Sequence, residues 1–140
     1  MFTEYGKKGW GSKIELEELI ETVRLDLLMG AELVTIEGRE SGAGVGIYDE
    51  NGKCKDDELE LVLGAIPSRD VLLWEAPQKH QQVHLLQLLG PEVNLGNIPA
   101  GDIVALEALR RGLRSDTFAF GHMPPADAEP DRPASGAKPK

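Results

Sequence analysis

The sequence predicts an α/β protein built from parallel β/α units, and three observations predict it. Short apolar runs alternate with amphipathic segments through four successive rounds, the order that gives a parallel sheet with right-handed crossovers. The run from Val71 to Trp74 is apolar almost throughout, which suits a strand covered on both faces. Helix-start and helix-stop residues punctuate the rounds, with Ser12 and Gly30 around one helix and Pro99 and Gly112 around another.

Met1 to Tyr5 reads as the first strand, ending in Gly6-Lys7-Lys8. Ser12 then serves as an N-cap, with Glu15 three residues on completing a capping box. Leu16, Leu19, Ile20, Val23 and Leu27 recur at helical spacing on one face, and Gly30 closes that helix. Leu33 to Ile36 is the second strand and runs into Glu37-Gly38-Arg39-Glu40-Ser41-Gly42. A glycine-rich loop, Gly42 to Gly46, is followed by Ile47-Tyr48-Asp49 and by Asn51-Gly52, a pair that signals a hairpin turn. Asp57 to Ile66 forms the second helix, with Leu59, Val62, Leu63 and Ile66 on one side. Val71 to Trp74 is the third strand, and Gln81 to Leu89 the third helix, stopped by Gly90-Pro91. Val93 to Leu95 is the fourth strand, and the fourth helix turns Ile103, Leu106, Leu109 and Leu113 inward. From about Phe120 the chain is rich in Pro, Asp, Glu, Ala and Lys. Such a segment buries too little apolar surface to offset its ordering entropy, so residues 120–140 are expected to be a disordered tail behind a folded unit of residues 1–119.

At 140 residues, 41% hydrophobic and 28% charged, the chain is long enough for one domain with a real core and reads as soluble. A net charge of −9 argues against non-specific nucleic-acid binding, which needs clustered Lys and Arg. An anionic small ligand stays possible, because a site's local charge can oppose the net charge. The single cysteine, Cys54, lies in a polar run and is expected to be an incidental surface thiol, with no internal disulfide available. No apolar run approaches the ~20 residues of a membrane span and the N-terminus lacks a secretory signal, so a cytoplasmic protein with no membrane contact is expected.

Alternate strand residues point to opposite faces. Glu4, Gly6 and Lys8 share one face of the first strand, Thr35, Glu37 and Arg39 one face of the second, and Val71, Leu73 and Glu75 one face of the third. In a closed parallel barrel the carboxyl ends of the strands border the site. That would aim Glu37 and Glu75 at a common mouth, with Lys8 and Lys79 nearby. Two carboxylates on neighbouring strand ends suit Mg²⁺, a hard cation that keeps several waters. The plainer alternative is a structural ion pair, Glu37 with Arg39 or Glu75 with Lys79. Gly96, Asn97 and the helix that starts near Pro99 offer free backbone N–H groups to a phosphate, or a plain helix cap. The Gly42 to Gly46 loop matches neither nucleotide-binding fingerprint. His80 and His84 are expected to be exposed helix positions, and a ligand role for His122 is not expected.

These residues carry a family resemblance. Glu4-Tyr5-Gly6-Lys7-Lys8, the run Ile36 to Gly42, Gly46-Ile47-Tyr48-Asp49, Glu75 to Gln82, Gly90 to Ile98 and Leu106 to Thr117 together resemble phosphosulfolactate synthase, a family that also includes plant heat-stress-associated proteins. The resemblance covers roughly residues 2 to 118 and runs in order through all four units. It implies a (β/α)8 TIM barrel and a Mg²⁺-dependent lyase-type addition of sulfite to phosphoenolpyruvate, giving 2-phospho-3-sulfolactate in one route to coenzyme M. Carried onto this chain, it implies Glu37 and Glu75 as metal ligands and Lys8 as the general acid. Arg39 and Lys79 would hold sulfite or the substrate carboxylate, and Asn94, Gly96 and Asn97 would bind the phosphorylated substrate. The family carries an acidic residue after the two lysines, where this chain has Gly9-Trp10. A whole barrel needs about 200 residues or more, so the chain is expected to hold about four of eight units, the C-terminal half. A half-barrel with open edges would form a homo-oligomer, pair with a separate N-terminal half, or be poorly stable. A truncated form is the simplest account. A non-catalytic remnant or stress-related interaction protein, and a same-fold enzyme with another nucleophile, are the alternatives.

Overall fold

Four short strands lie side by side in the order in which the chain makes them. The computed structural model describes residues 1–5 and 13–121. Strand β1 (Phe2–Tyr5) is followed by helix α1 (Lys13–Leu28), β2 (Leu33–Ile36), α2 (Asp56–Ala65), β3 (Leu72–Glu75), α3 (Lys79–Leu89), β4 (Leu95–Gly96) and α4 (Ile103–Arg110). All neighbouring strands are parallel, in the order β1-β2-β3-β4. A doubly wound sheet reverses its order partway. This one does not, and successive β/α units of a barrel are laid down in the same way. Lys8, Ser12 of the expected capping box, His122 and the proline-rich segment after it lie outside the described residues.

The pairing register puts Tyr5, Ile36, Trp74 and Leu95 in one row across the sheet. With Val34 and Leu72 they face the helices and pack against Leu19 and Val23 of α1, Leu59 and Val62 of α2 and Leu85 of α3. Each fully buried apolar side chain of this kind contributes about 1.5–3 kcal/mol. The opposite face carries Glu4, Thr35 and Leu73 in register, with Glu75 beside Gly96. Among the described residues no helix covers it, and its residues on β2 and β3 are half-buried. Among the described residues the carboxyl end of that face is an open cleft.

Local signals explain most of the boundaries. Helix α1 ends in a Schellman arrangement: Gly30 has φ 95°, its N–H donates to the Leu27 carbonyl at 3.1 Å, and the Ala31 N–H reaches the Asp26 carbonyl at 2.9 Å. Helix α2 opens on Asp56, Asp57 and Glu58, acids at the positive end of the helix dipole. The Asn51-Gly52 turn is present as a small antiparallel bridge between Tyr48 and Cys54, with Asp49 Oδ1 accepting from the N–H of Asn51 and Lys53.

Several expectations are corrected. β4 is only Leu95–Gly96, displaced toward the carboxyl side of the predicted run, because Asn94 turns its side chain onto the Asp70 and Leu72 carbonyls. Residues Arg69–Val71 form a 3-10 turn capped by Ser68, so β3 starts one residue later than predicted and includes Glu75. Of the fourth helix's predicted inward residues, Leu106 and Leu109 are buried, whereas Ile103 and Leu113 are 56% and 73% exposed. Helix α4 packs through one narrow seam on α3 and on the 3-10 segment Ser115–Gly121, and Leu113 falls beyond its end. Within that last segment Phe120 packs on Leu86, Leu106 and Leu109. Cys54 is buried, because the bridge to Tyr48 turns it into the core. Among the described residues no helix is long and apolar enough to cross a membrane.

Candidate active site

An open cleft of about 540 Å³ lies at the carboxyl ends of the strands, lined by Glu4, Glu37, Arg39, Glu40, Ser41, Glu75 and Asn97. Glu37 follows directly on β2. Its N–H donates to the Tyr5 carbonyl at 3.0 Å, so the bonding to β1 continues one residue past the strand and fixes the Glu37 backbone. Glu75 is the last residue of β3 and shares the open face with Leu73. The two carboxylates come from distant parts of the chain and face one space.

Their supports differ. Glu75 Oε2 accepts two backbone hydrogen bonds, from the N–H of Gly38 at 2.8 Å and of Arg39 at 3.0 Å. Arg39 has φ 55°, a left-handed conformation that turns successive N–H groups toward one point and makes an anion-binding nest. Gly38 is required there, since a Cβ would stand 2.7 Å from the Glu75 carbonyl oxygen. Glu37 is held by a side chain instead: Arg39 Nε donates to its Oε1 at 3.0 Å. Asn97, with φ 52°, donates from Nδ2 to the Arg39 carbonyl at 2.9 Å and joins the loop after β4 to the loop after β2.

Beneath this rim the loop of residues 41–53 is fastened to the start of α3. The buried Gln81 donates from Nε2 to the carbonyls of Gly42 and Gly52 at 2.7 and 2.9 Å, and its Oε1 accepts the Gln78 N–H at 3.1 Å. Gln78 donates to the Ser41 carbonyl, and His80 Nε2 lies 3.0 Å from the Gly52 carbonyl oxygen. The Tyr48 hydroxyl donates to the Glu75 carbonyl at 2.8 Å. Burial, with Cys54 and Glu75 nearby, holds that hydroxyl protonated far above the usual tyrosine range. These fasteners fix the ends of β2 and β3 relative to each other. Their signal in the sequence is the run Gln78-Lys79-His80-Gln81-Gln82, whose amides stand where a surface helix would carry charges.

Of the sequence-predicted site residues, the cleft gathers Glu37, Glu75, Arg39 and Asn97. Gly96 pairs with Glu75 in the sheet, and a Cβ there would stand 2.4 Å from Leu73 Cδ2. Lys79 and Asn94 are kept apart from it. Lys79 Nζ lies 3.6 Å from Asp102 Oδ1 at the start of α4, so the expected Glu75–Lys79 pair is not made. Asn94 is at the far end of β4, where its amide bonds the Asp70 and Leu72 carbonyls. The expected Glu37–Arg39 ion pair is made. Glu4, Glu40 and Ser41 join the lining without having been singled out as site residues.

The described rim carries four carboxylates and one guanidinium. Glu37 Oε2 and Glu75 Oε1 are the oxygens left to turn toward a cation, each on a carboxylate already oriented by a hydrogen bond to its other oxygen. Metal ligands are commonly oriented in that way. Among the described residues no three acidic donors close on one point in this cleft. Two suffice for Mg²⁺, which fills its remaining positions with water and substrate oxygens.

Comparison with known proteins gives one consistent answer. A family model described as (2R)-phospho-3-sulfolactate synthase (ComA) matches residues 1–116. The chain is 47% identical over 120 residues to the phosphosulfolactate synthase of Methanothermobacter thermautotrophicus, an alignment that covers 84% of this chain and 46% of that protein. It is 43% identical to the phosphosulfolactate synthase of Methanocaldococcus jannaschii and 41% identical to that of Bacillus subtilis, each over 84% of this chain and 47% of the relative. The chain spans about half the length of the curated relatives it matches.

Proposed function

The chain belongs to the (2R)-phospho-3-sulfolactate synthase family, and from that premise we propose that its cleft is half of a site that adds sulfite to phosphoenolpyruvate. The observation that carries the proposal is the meeting of Glu37 and Glu75 with Arg39 in one cleft at the strand ends. Phosphoenolpyruvate and sulfite bring phosphate, carboxylate and sulfur oxyanion charges to a rim that is itself acidic. Like charges at such distances repel strongly in a partly desolvated site. A divalent cation is the simple remedy, and the two oriented carboxylates fit one.

In this reading Glu37 and Glu75 hold Mg²⁺. The bound ion would supply electrostatic stabilisation of the negative charge that builds on the substrate carboxylate as sulfite attacks the methylene carbon. Sulfite is nucleophilic enough to need no covalent help from the protein. Arg39 is tied to Glu37 through Nε, which leaves its terminal nitrogens to meet an anion beside the metal-binding carboxylates. Asn97, Gly96 and the turn into α4 take the phosphate. Lys8 is the general acid that protonates the carbon next to the carboxylate, a role that rests on the family resemblance. Lys79 and Asn94, engaged by Asp102 and by the Asp70 and Leu72 carbonyls, are given no role in this reading. The remaining contacts would come from four further β/α units, supplied by a separate N-terminal half or a second copy.

The test is an assay for 2-phospho-3-sulfolactate. The chain, alone and mixed with a polypeptide of the first half of a relative, is incubated with sulfite, phosphoenolpyruvate and Mg²⁺. Product that depends on Mg²⁺ and is lost in Lys8→Ala is the expected result. Absence of product in both settings would refute the proposal.

A further inference from the structure

We propose that Cys54, Asp56 and His84 form a second metal site, for a divalent ion of the zinc class, away from the cleft at the strand ends. The Cys54 Sγ, a carboxylate oxygen of Asp56 and a ring nitrogen of His84 all lie within 4.8 Å of one another. Two separate parts of the fold bring them together. Cys54 is turned inward by its bridge to Tyr48, and Asp56 follows as the first residue of α2. His84 projects from α3, with Nε2 2.7 Å from Asp56 Oδ1. A pocket of about 450 Å³ opens beside them, lined in part by Cys54 and His84, with His80 and Asp116 on its walls. That leaves room for water or a further side chain as the fourth ligand of a tetrahedral ion.

The donor set argues for zinc over magnesium. Thiolate and imidazole are the ligands zinc prefers, and magnesium takes oxygen donors. A nucleophilic triad is the rival reading of a Cys, a His and an Asp, and the arrangement contradicts it. In such a triad the imidazole stands between thiol and carboxylate, whereas here Asp56 takes hydrogen bonds from both neighbours. The buried Cys54 thiol turns its proton toward Asp56. A metal ion would take the place of that proton. The Sγ–metal bond forms as the thiol proton leaves to solvent, His84 binds through a neutral Nε2 with its proton on Nδ1, and nothing is oxidised or reduced. With metal–ligand bonds of about 2.0–2.2 Å, tetrahedral N and O ligands stand about 3.4 Å apart. The 2.7 Å contact must therefore open slightly, which the half-exposed Asp56 side chain permits.

Cys54 is the sole cysteine of the chain, so a thiolate signal reports this site alone. The full chain, reduced and freed of metal with a chelator, is titrated with Co²⁺ in the presence of excess Mg²⁺. The expected result is one equivalent of Co²⁺ per chain, a thiolate-to-cobalt charge-transfer band in the near ultraviolet, and its loss on addition of Zn²⁺. The band should vanish in Cys54→Ser. Co²⁺ affinity should fall about 100-fold in His84→Ala, at or above the 10–100-fold cost of losing even a second-shell partner. His84 is half-exposed, so this variant is expected to fold, with circular dichroism as the check. No band in the wild-type chain, one Co²⁺ shared by two chains, or a band of unchanged affinity in both His84→Ala and Asp56→Asn would each overturn the site.

Discussion

The two faces of the sheet use the same four strands for opposite ends. On the helix-covered face, Tyr5, Ile36, Trp74 and Leu95 form one apolar row that excludes water. On the bare face Glu37, just past β2, and Glu75, at the end of β3, are part-buried carboxylates positioned by hydrogen bonds. The covered face derives its energy from area, which is non-directional and tolerant. The bare face derives its order from a few directional contacts, each of which can be removed singly. Substitutions on the two faces should therefore separate: one set unfolds the chain, and the other leaves it folded and disables the cleft.

The largest effect on folding is expected from the covered face. Trp74 is 1% exposed and sits at the centre of the core row. Trp74→Ala should cost about 3–5 kcal/mol, by lost transfer energy and the cavity left behind. Urea unfolding would show it as a lower midpoint, and the proposed metal binding in the cleft should fail only as the unfolded fraction rises. A smaller midpoint shift than that of any cleft substitution would break the comparison.

An intermediate effect is expected at Glu75, where the two faces meet. Its carboxylate closes the Gly38–Arg39 nest, and its own carbonyl accepts from Tyr48. Glu75→Ala leaves two backbone N–H groups without an acceptor in a part-buried turn, a loss of about 1–3 kcal/mol. It also removes one proposed Mg²⁺ ligand. Both the urea midpoint and Mg²⁺-dependent turnover in the reconstituted enzyme should fall. A variant with full stability would show that the nest is not a support.

The covered face was also the legible one. Helical spacing identified Leu19, Val23, Leu59 and Val62 on their buried sides, and the apolar run before Glu75 located β3. Alternation along the strands placed Glu37 and Glu75 on the face away from the helices. What periodicity could not reach were contacts between distant residues. Nothing local in Glu75 announces that the backbone of Gly38 and Arg39 will clasp it. Nor does Gln81 announce that it will bond the carbonyls of Gly42 and Gly52. The partners of Asn94 and Lys79 are hidden for the same reason. Each has the chemistry of a ligand-binding residue, and each is engaged elsewhere by a neighbour that only the fold supplies. Cys54 read as a surface thiol because its flanking residues are polar, while a single antiparallel bridge decides its burial.

The smallest effect on folding, and the sharpest test of the division between faces, belongs to Glu37. Its side chain is 18% exposed, and Arg39, its ion-pair partner among the described residues, is 37% exposed. Screened pairs of this kind contribute about 0–1 kcal/mol. Glu37→Gln keeps the size of the side chain and an oxygen that can accept from Arg39 Nε, so the urea midpoint should stay close to that of wild type. The charge that would hold a cation is gone, however. Mg²⁺-dependent turnover in the reconstituted enzyme should fall about 100-fold or more, the scale seen when one preorganised electrostatic group is removed. Raising Mg²⁺ should recover part of the loss if Glu37 acts by binding the ion, and none of it if Glu37 serves only to aim Arg39. Arg39→Lys separates these two roles. It keeps a positive charge but loses the planar fork that holds an oxyanion in two places, so it should weaken substrate binding and leave the Mg²⁺ requirement where it was. Should Glu37→Gln retain full activity, the open face would lose its claim to the metal, and the Glu37–Arg39 pair would be no more than an ion pair at a strand end.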